Sequence, residues 1–232
     1  MMRVSSLSKF FGQKKAVDDI SFAAKEGEII GFLGPNGAGK TTTMRLILGY
    51  LKPSAGQARI DNLDPTEERI EVSKLIGYLP ENNPLYQEMK VREYLEFIAS
   101  VKKEDDFQKI FKQVDLNEVL DQRIEELSRG YKQRVGLASS LMGNPKILIL
   151  DEPTSGLDPL EQEKIRGMIK KLANPKDRRE KKLIIFSTHI LSEVEDVATR
   201  LIIIHKGRIV YDGKKPKEKG GVEKIFKSKI KI

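Results

Sequence analysis

The stretch "EIIGFLGPNGAGKTT" (Glu28 to Thr42) decides the fold of this chain. It begins with a short apolar run that is typical of a strand buried on both faces. The run leads into the pattern G-x-x-x-x-G-K-[ST] and then into a helical stretch, which is the context that a phosphate-binding loop requires. Glycines let such a loop fold tightly, so that successive backbone N–H groups point at phosphate oxygens.

We therefore predict a P-loop that binds the phosphates of a nucleotide. Lys40 brings a point charge to the β- and γ-phosphates, and Thr41 offers a hydroxyl group to Mg²⁺. Lys40 is thus a predicted catalytic residue, and Thr41 is a predicted metal ligand. The predicted nucleotide-binding residues of the loop are Gly34, Pro35, Asn36, Gly37, Ala38, Gly39, Lys40, Thr41 and Thr42.

A second apolar run, "ILILDE" (Ile147 to Glu152), ends in two carboxylates. Ligands of open α/β sheets collect at the C-terminal edge of the strands, so we predict Asp151 as a ligand of Mg²⁺. Glu152 can then face the γ-phosphate and polarise a water molecule, and general-base help of this kind is typically worth ~10²–10⁴ in rate. We predict Glu152 as a catalytic residue. A GTPase would also carry the guanine motif N-K-x-D, which the chain lacks.

The alternation of apolar runs and helical patterns predicts an α/β fold with a P-loop NTPase core and a mainly parallel sheet. The N-terminal region to about Phe22 predicts an antiparallel β part, and residues from about 83 to 143 predict an inserted α-helical lobe. The predicted strands are 28–34, 146–152, 183–189 and 200–205, and the predicted helices of the core are 40–48, 159–172 and 191–198.

The composition is that of a globular protein. Of 232 residues, 39% are hydrophobic and 33% are charged, and no apolar run approaches the ~18 residues needed to span a bilayer. The N-terminus lacks the apolar stretch of a signal peptide, so we expect an intracellular protein. Because the chain contains no Cys, disulfides and thiolate metal sites are excluded.

The net charge of +8 is concentrated in two segments. Residues 212–232 carry eight Lys and three acidic residues, and residues 175–182 carry five cations and two acidic residues. The rest of the chain is neutral, which argues against a nucleic-acid partner. Two interpretations stay open: both segments are simply solvated, or they contact anionic lipid headgroups or another acidic surface.

Further motifs occur at Phe11, at "GYLPE" ending in Glu81, at "LSRGYKQRV" from Leu127, at "TSGLDP" from Thr154 and at "STH" ending in His189. Together with the P-loop and "ILILDE", they resemble the nucleotide-binding subunits of ATP-binding cassette (ABC) transporters over roughly Val4 to Gly213. The signature motif of that family usually reads L-S-G-G-Q. Here Arg129 and Tyr131 replace the first Gly and the Gln, and Glu81 stands where the family usually has Gln.

The resemblance implies roles around one nucleotide, with ATP and Mg²⁺ as cofactors. His189 is implied as a catalytic residue that senses the γ-phosphate, and Glu81 as a group that binds Mg²⁺ or orients water. Phe11 is implied to stack on adenine. Neighbouring side chains of a strand point to opposite faces, so we expect Phe10 to face the core.

The resemblance also implies that two cassettes pack head to tail with two ATP molecules between them. Ser128 and Gly130 of one cassette would then bind, in trans, the nucleotide on the P-loop of the other. The second cassette would make either a homodimer or a heterodimer. The implied D-loop residues are Ser155, Gly156, Leu157 and Asp158.

A separate transmembrane permease is the second implied partner, docking on the segment that begins at Glu81, with Leu85 and Tyr86 as apolar contacts. The ABC ATPase domain would comprise residues 1–213, followed by a basic tail at 214–232, and would lie at the cytoplasmic face of the membrane.

The "LPE" and signature variants resemble a subgroup that often serves export. The alternative is a soluble ABC ATPase acting on nucleic acid or ribosomes, but such proteins usually carry coiled coils, zinc modules or two cassettes.

Overall fold

Two β-sheets and the helices that cover them make up the computed structural model, which describes residues 1–173 and 181–230. The strands are β1 (Met2–Phe11), β2 (Lys14–Ala24), β3 (Ile29–Leu33), β4 (Ala55–Ile60), β5 (Ile76–Leu79), β6 (Ile147–Asp151), β7 (Leu183–Thr188), β8 (Arg200–His205) and β9 (Arg208–Lys214). The α-helices are α1 (Lys40–Ile47), α2 (Arg69–Leu75), α3 (Val91–Lys102), α4 (Gln108–Gln113), α5 (Arg129–Leu141), α6 (Pro159–Ala173), α7 (Leu191–Val197) and α8 (Gly221–Ile230).

The larger sheet has the strand order β5-β6-β7-β3-β8-β9. Its pairs are parallel from β5 to β8, and only β9 runs antiparallel to its neighbour β8. The smaller sheet is antiparallel, with the order β2-β1-β4. These arrangements confirm the predicted α/β fold with its mainly parallel sheet and its N-terminal antiparallel part.

Both faces of the larger sheet are covered, which explains why its strands read as continuous apolar runs. In β3, Ile29 and Leu33 belong to the core on one face, whereas Ile30 and Phe32 belong to the core on the other face. The first core also contains buried residues of the helical segment, and the second contains those of the smaller sheet. All five residues of β3 and of β6 are buried.

Helices occupy the chain between β5 and β6, within the predicted insertion. They are α3, α4 and α5, with two short 3-10 helices at Asn117–Val119 and Ile124–Glu126. In α3 the buried side chains Val91, Tyr94 and Leu95 recur at helical spacing. Helix α5 packs on β5 of the larger sheet, and α3 packs on α5.

The structure describes most of the predicted basic tail but little of the predicted basic loop, because residues 175–180 lie outside the described residues. Much of the predicted basic tail is the helix α8, and its Val222 is fully buried in the core. Within residues 1–173 and 181–230, no helix combines the length and the apolar character that a membrane crossing requires.

Candidate nucleotide-binding site

The loop between β3 and α1 is a tight turn that only glycine permits at several positions. Gly37 and Gly39 have φ values of 77° and 110°, in the region that other residues rarely adopt. A Cβ atom at Gly34 would overlap the backbone oxygen of Ile204, and a Cβ atom at Gly39 would overlap that of Ala16. The glycine pattern is therefore required by the path of the backbone.

The loop opens into the N-terminus of α1, which carries no acidic residue in its first turn. The first N–H groups of any helix lack a partner within the helix, and the dipole is positive there, so this end favours an anion. A cavity of about 360 Å³ lies beside it. Its lining residues are Lys14, Ala16, Asn36, Gly37, Gly39, Lys40, Thr41, Thr42, Glu81, Glu152, Ser155 and His189.

Lys40 is held at this cavity by the loop itself and by Glu152. Its Nζ donates to the backbone oxygens of Gly34 and Pro35, at 2.8 and 3.3 Å, and lies 3.1 Å from Glu152 Oε1. The other carboxylate oxygen of Glu152 lies 2.9 Å from His189 Nδ1. Side chains from three separate segments therefore meet at one carboxylate.

The meeting point follows from the sheet order. The adjacent strands β6, β7 and β3 end at the same edge because they are parallel. Glu152 follows β6, His189 follows β7, and the P-loop follows β3. Glu152 has a φ of 49°, and its N–H donates to the backbone oxygen of Ser187, at 3.2 Å, and to its Oγ, at 3.0 Å.

Asp151 offers an oxygen that fits a cation. Its side chain is 1% exposed, and Oδ1 accepts a hydrogen bond from Ser187 Oγ, whereas Oδ2 is buried and has no hydrogen-bond partner among the described residues. A buried oxygen of this kind is costly unless it is satisfied. Burial, together with the Asp151 carboxylate, raises the pKa of Tyr78 to about 12, so the nearby phenol stays neutral.

The donor set suits Mg²⁺ better than a metal that needs a protein cage. In residues 1–173 and 181–230, no group of three or more His, Cys, Asp or Glu side chains is arranged to hold a metal ion. Mg²⁺ usually takes one or two protein oxygens and completes its shell with phosphates and water. An oxygen of Asp151 and the hydroxyl group of Thr41 fit this requirement. Thr41 and the exposed Glu81 line the cavity, whereas the buried Asp151 is not among its lining residues.

Some of the remaining predicted site residues lie in the P-loop or line the cavity, and others lie away from the cavity. Ala38 is a buried residue of the P-loop, and Ser155 is the D-loop residue that lines the cavity. Gly156, Leu157 and Asp158 do not line it.

The signature residues also lie away from the cavity. Ser128 is exposed and forms the N-cap of α5, where its Oγ accepts a hydrogen bond from the N–H of Tyr131 at 3.3 Å. Gly130 is buried, and a Cβ atom there would overlap the carboxylate of Glu161. Neither signature residue lines the cavity next to the P-loop of the same chain.

The expectation that Phe10 faces the core is wrong. Phe10 is 39% exposed, and Lys15 Nζ lies 5.7 Å from its ring centre. The pairing of β1 with β2 shifts register between Lys9 and Phe10, so the alternation of faces breaks there. Phe11 is 50% exposed at the end of β1, and its contact with adenine stays a prediction.

Leu85 is also misplaced by the sequence analysis, because it is 8% exposed and belongs to the core. Tyr86 is 58% exposed, and its ring makes edge contacts with Tyr94 and Phe97 at centroid distances of 5.9 and 6.3 Å. An apolar residue in a loop has no periodicity that would distinguish a buried position from an exposed one.

Sequence reasoning did not single out two buried charged residues, Arg134 and Glu193, each 1% exposed. Both stand in quoted or adjacent motifs, yet charged residues are mostly exposed, and no local pattern indicated burial here. Arg129 departs from the usual signature, and its guanidinium lies against Gly156 of the D-loop.

Fold and site together define a P-loop nucleotide-binding protein of the α/β class. Residues 17–155 match the ABC transporter family, and the chain belongs to that family, among its ATP-binding proteins. An uncharacterised ABC transporter ATP-binding protein of Methanocaldococcus jannaschii is 40% identical over 219 residues, which cover 92% of this chain and 77% of that protein. The bacitracin transport ATP-binding protein BcrA of Bacillus licheniformis is 37% identical over 214 residues, covering 90% of this chain and 68% of that protein.

Solved structures share the fold. The cbiO1 protein from Clostridium perfringens, part of the ABC transporter complex cbiONQ, superposes with a TM-score of 0.81 at 26% identity, covering 97% of this chain and 90% of that chain. A dimeric ATP-binding cassette in a post-hydrolysis state, bound to ADP and Pi, gives a TM-score of 0.80 at 25% identity, with coverage of 92% and 98%.

Proposed function

We propose that this chain hydrolyses ATP and that hydrolysis powers export through a separate transmembrane partner. The observation that carries the proposal is the line of contacts from Lys40 through Glu152 to His189 at the mouth of the P-loop. A phosphate anchor, a general base and a histidine that orients the base are the groups that hydrolysis of a phosphoanhydride needs.

Each of these side chains has a defined task. Lys40 gives up its bonds to the backbone oxygens of Gly34 and Pro35 and donates to the β- and γ-phosphate oxygens instead. Glu152 then loses a cationic partner, and its carboxylate takes a proton from the attacking water. His189 holds the other oxygen of that carboxylate and so fixes its direction.

The metal ion belongs to the same site. Thr41 and the unpaired Oδ2 of Asp151 would hold Mg²⁺, which supplies positive charge to the phosphate oxygens when it is bound. Glu81 at the edge of the cavity orients water or takes part in metal binding.

A second cassette completes the site. Ser128 and Gly130 lie away from the cavity of their own chain, which supports a role at the nucleotide of a partner. The similar cassette that is dimeric with ADP and Pi supports the same arrangement. We assign the ATPase domain to residues 1–213, including the helical lobe at about 83–143, and place it at the cytoplasmic face of the membrane.

The permease would dock where the helical lobe meets the sheet domain. A groove of about 880 Å³ lies there, with the exposed Tyr50 and Ile70 on its wall. Arg45, Arg69 and Lys102 line this groove, and its described lining contains no Asp or Glu. A permease segment that presents apolar and acidic side chains complements such a groove.

Co-purification tests the proposal directly. Tagged chain extracted from membranes should bring down a multi-span protein, and the complex should release phosphate from Mg-ATP. Replacing the exposed apolar side chains on the groove wall, Tyr50→Ala with Ile70→Ala, should lower the recovery of that protein. Val101→Ala is the matched control, because Val101 is 64% exposed on α3 but lines no described groove or cavity. Recovery of ribosomes without a membrane protein would contradict the proposal.

A further inference from the structure

A buried carboxylate that the proposed mechanism does not use lies behind the site. Glu193 of α7 is 1% exposed, and its contacts within residues 1–173 and 181–230 are hydrogen bonds to hydroxyl groups. Both of its oxygens accept hydrogen bonds from hydroxyl groups: Oε1 from Thr154, and Oε2 from Thr188 at 2.6 Å. A buried polar group is costly unless it is hydrogen-bonded, and these two bonds satisfy both oxygens of the Glu193 side chain.

The two threonines belong to different parts of the site. Thr154 follows Glu152 by two residues and leads into the D-loop, whereas Thr188 ends β7 and directly precedes His189. Both threonines are buried, at 2% and 0% exposure. Glu193 therefore connects the segment that carries Glu152 to the segment that carries His189.

The connection extends to the phosphate loop. The backbone oxygen of Thr188 accepts a hydrogen bond from the N–H of Gly34 at 3.2 Å. The hydroxyl oxygen of Thr188 also accepts from the N–H of Ile190 at 3.0 Å, which directs its own proton to Glu193. Thr188 thus has a single orientation, set by three neighbours.

We propose that Glu193 is a positioning residue for ATP hydrolysis, an inference that rests on the proposed function. By holding Thr154 and Thr188 at once, it fixes His189 against Glu152 and couples the D-loop to that pair. A displacement of catalytic groups by about 1 Å can lower the reaction rate by as much as ~10²-fold. Removing the carboxylate should therefore slow turnover while leaving the P-loop contacts of ATP in place.

The kinetic test uses Glu193→Ala, which removes both connections, and Glu193→Gln, which keeps the shape and one acceptor. For Glu193→Ala we expect kcat to fall roughly ten- to hundredfold with the KM for ATP changed less than about threefold, and for Glu193→Gln a smaller loss. Asp196→Asn is the matched control: it removes a carboxylate from the same helix, one that pairs with Arg166 and Lys170 instead. Wild-type kcat in folded Glu193→Ala protein would overturn the proposal.

A spectroscopic test reads the position of His189 without any turnover. The chain contains two His, so ¹⁵N-histidine NMR gives two assignable rings, with His205 as an internal control. In nucleotide-free Glu193→Ala, the Nδ1 signal of His189 should move toward that of a free imidazole, while His205 stays unchanged. An unmoved His189 signal would overturn the proposal.

If Glu193→Ala does not fold, Thr154→Val is measured instead. This variant removes the hydrogen bond between Thr154 and Glu193 but keeps the carboxylate. Failure of the proposed function is a separate result: the wild-type chain would then not hydrolyse ATP, yet the NMR comparison would still decide whether Glu193 positions His189.

Discussion

The guanidinium of Arg134 lies 3.4 Å from the carboxylate of Glu161 and joins α5 to α6. Arg134 is 1% exposed, and its Nη1 also donates to the backbone oxygen and the carboxylate of Asp115, both at 3.0 Å. Its guanidinium lies 4.0 Å from the ring centre of Tyr131. The helix that begins with the signature is thereby fixed to the helix that follows the D-loop.

Replacing this residue should destabilise the fold. Removing one partner of a buried ion pair costs about 3–5 kcal/mol, and we expect about 3 kcal/mol for Arg134→Ala because Glu161 keeps its pair with Lys164. The control is Arg92→Ala, whose exposed pair with Asp121 should be worth less than about 1 kcal/mol. Urea unfolding measures both values, and equal losses would show that the buried pair has no special weight.

Lys40→Ala should abolish ATP hydrolysis and weaken nucleotide binding roughly tenfold or more. The phosphates lose a charge-assisted hydrogen bond, which is typically worth ~1.5–3 kcal/mol. Lys74→Ala is the control, since Lys74 pairs with Glu71 on the surface of α2. Nucleotide titration and phosphate release check the result, and wild-type turnover in Lys40→Ala would refute the P-loop assignment.

Glu152→Gln should still bind ATP but hydrolyse it ~10²–10⁴ times more slowly, because the amide cannot accept a proton. ATP that is retained favours the closed dimer by mass action. Size-exclusion chromatography at saturating Mg-ATP should then show dimers, whereas the exposed Glu163→Gln control should turn over normally. A monomer would count against the expected closure.

A P-loop variant and a signature variant should complement each other if the chain homodimerises. Lys40→Ala and Ser128→Arg each spoil both sites of a homodimer, but a mixed dimer combines both defects in one site and leaves the other intact. ATP occlusion should return on mixing, and mixing two batches of Lys40→Ala should restore nothing. With mixed dimers demonstrated, no recovery would mean that the signature serves its own chain or that the true partner differs.

The basic face of α8 offers a test of contact with anionic lipid. Deleting the whole segment would uncover the core around Val222, so charge removal is the sharper experiment. The triple change Lys224→Gln, Lys227→Gln and Lys229→Gln should weaken binding to anionic vesicles, and added salt should weaken the binding of the unaltered chain. The control replaces the exposed Lys74, Lys109 and Lys112 with Gln, and equal binding by both variants would show that α8 makes no specific contact with anionic lipid.

The sequence by itself determined the strands β3, β6, β7 and β8 of the larger sheet and the P-loop between β3 and α1. A strand buried on both faces must be apolar throughout, and a loop that wraps a phosphate must be rich in glycine. Both features can therefore be recognised from a short stretch of sequence. The parallel order of β6, β7 and β3 then requires that Glu152, His189 and Lys40 meet at one edge. Their catalytic roles stay predictions until the variants are measured.

Only the tertiary structure decided which of the remaining side chains are buried and what they contact. The exposure of Phe10 depends on a register shift against β2, and the burial of Leu85 depends on the core that surrounds it. Glu193 and Thr154 are 39 residues apart in the chain and meet because β6 and β7 are neighbours. The periodicity of apolar residues indicates which face of a helix or strand is buried. Contacts between residues that are far apart in the chain form only when the elements pack together.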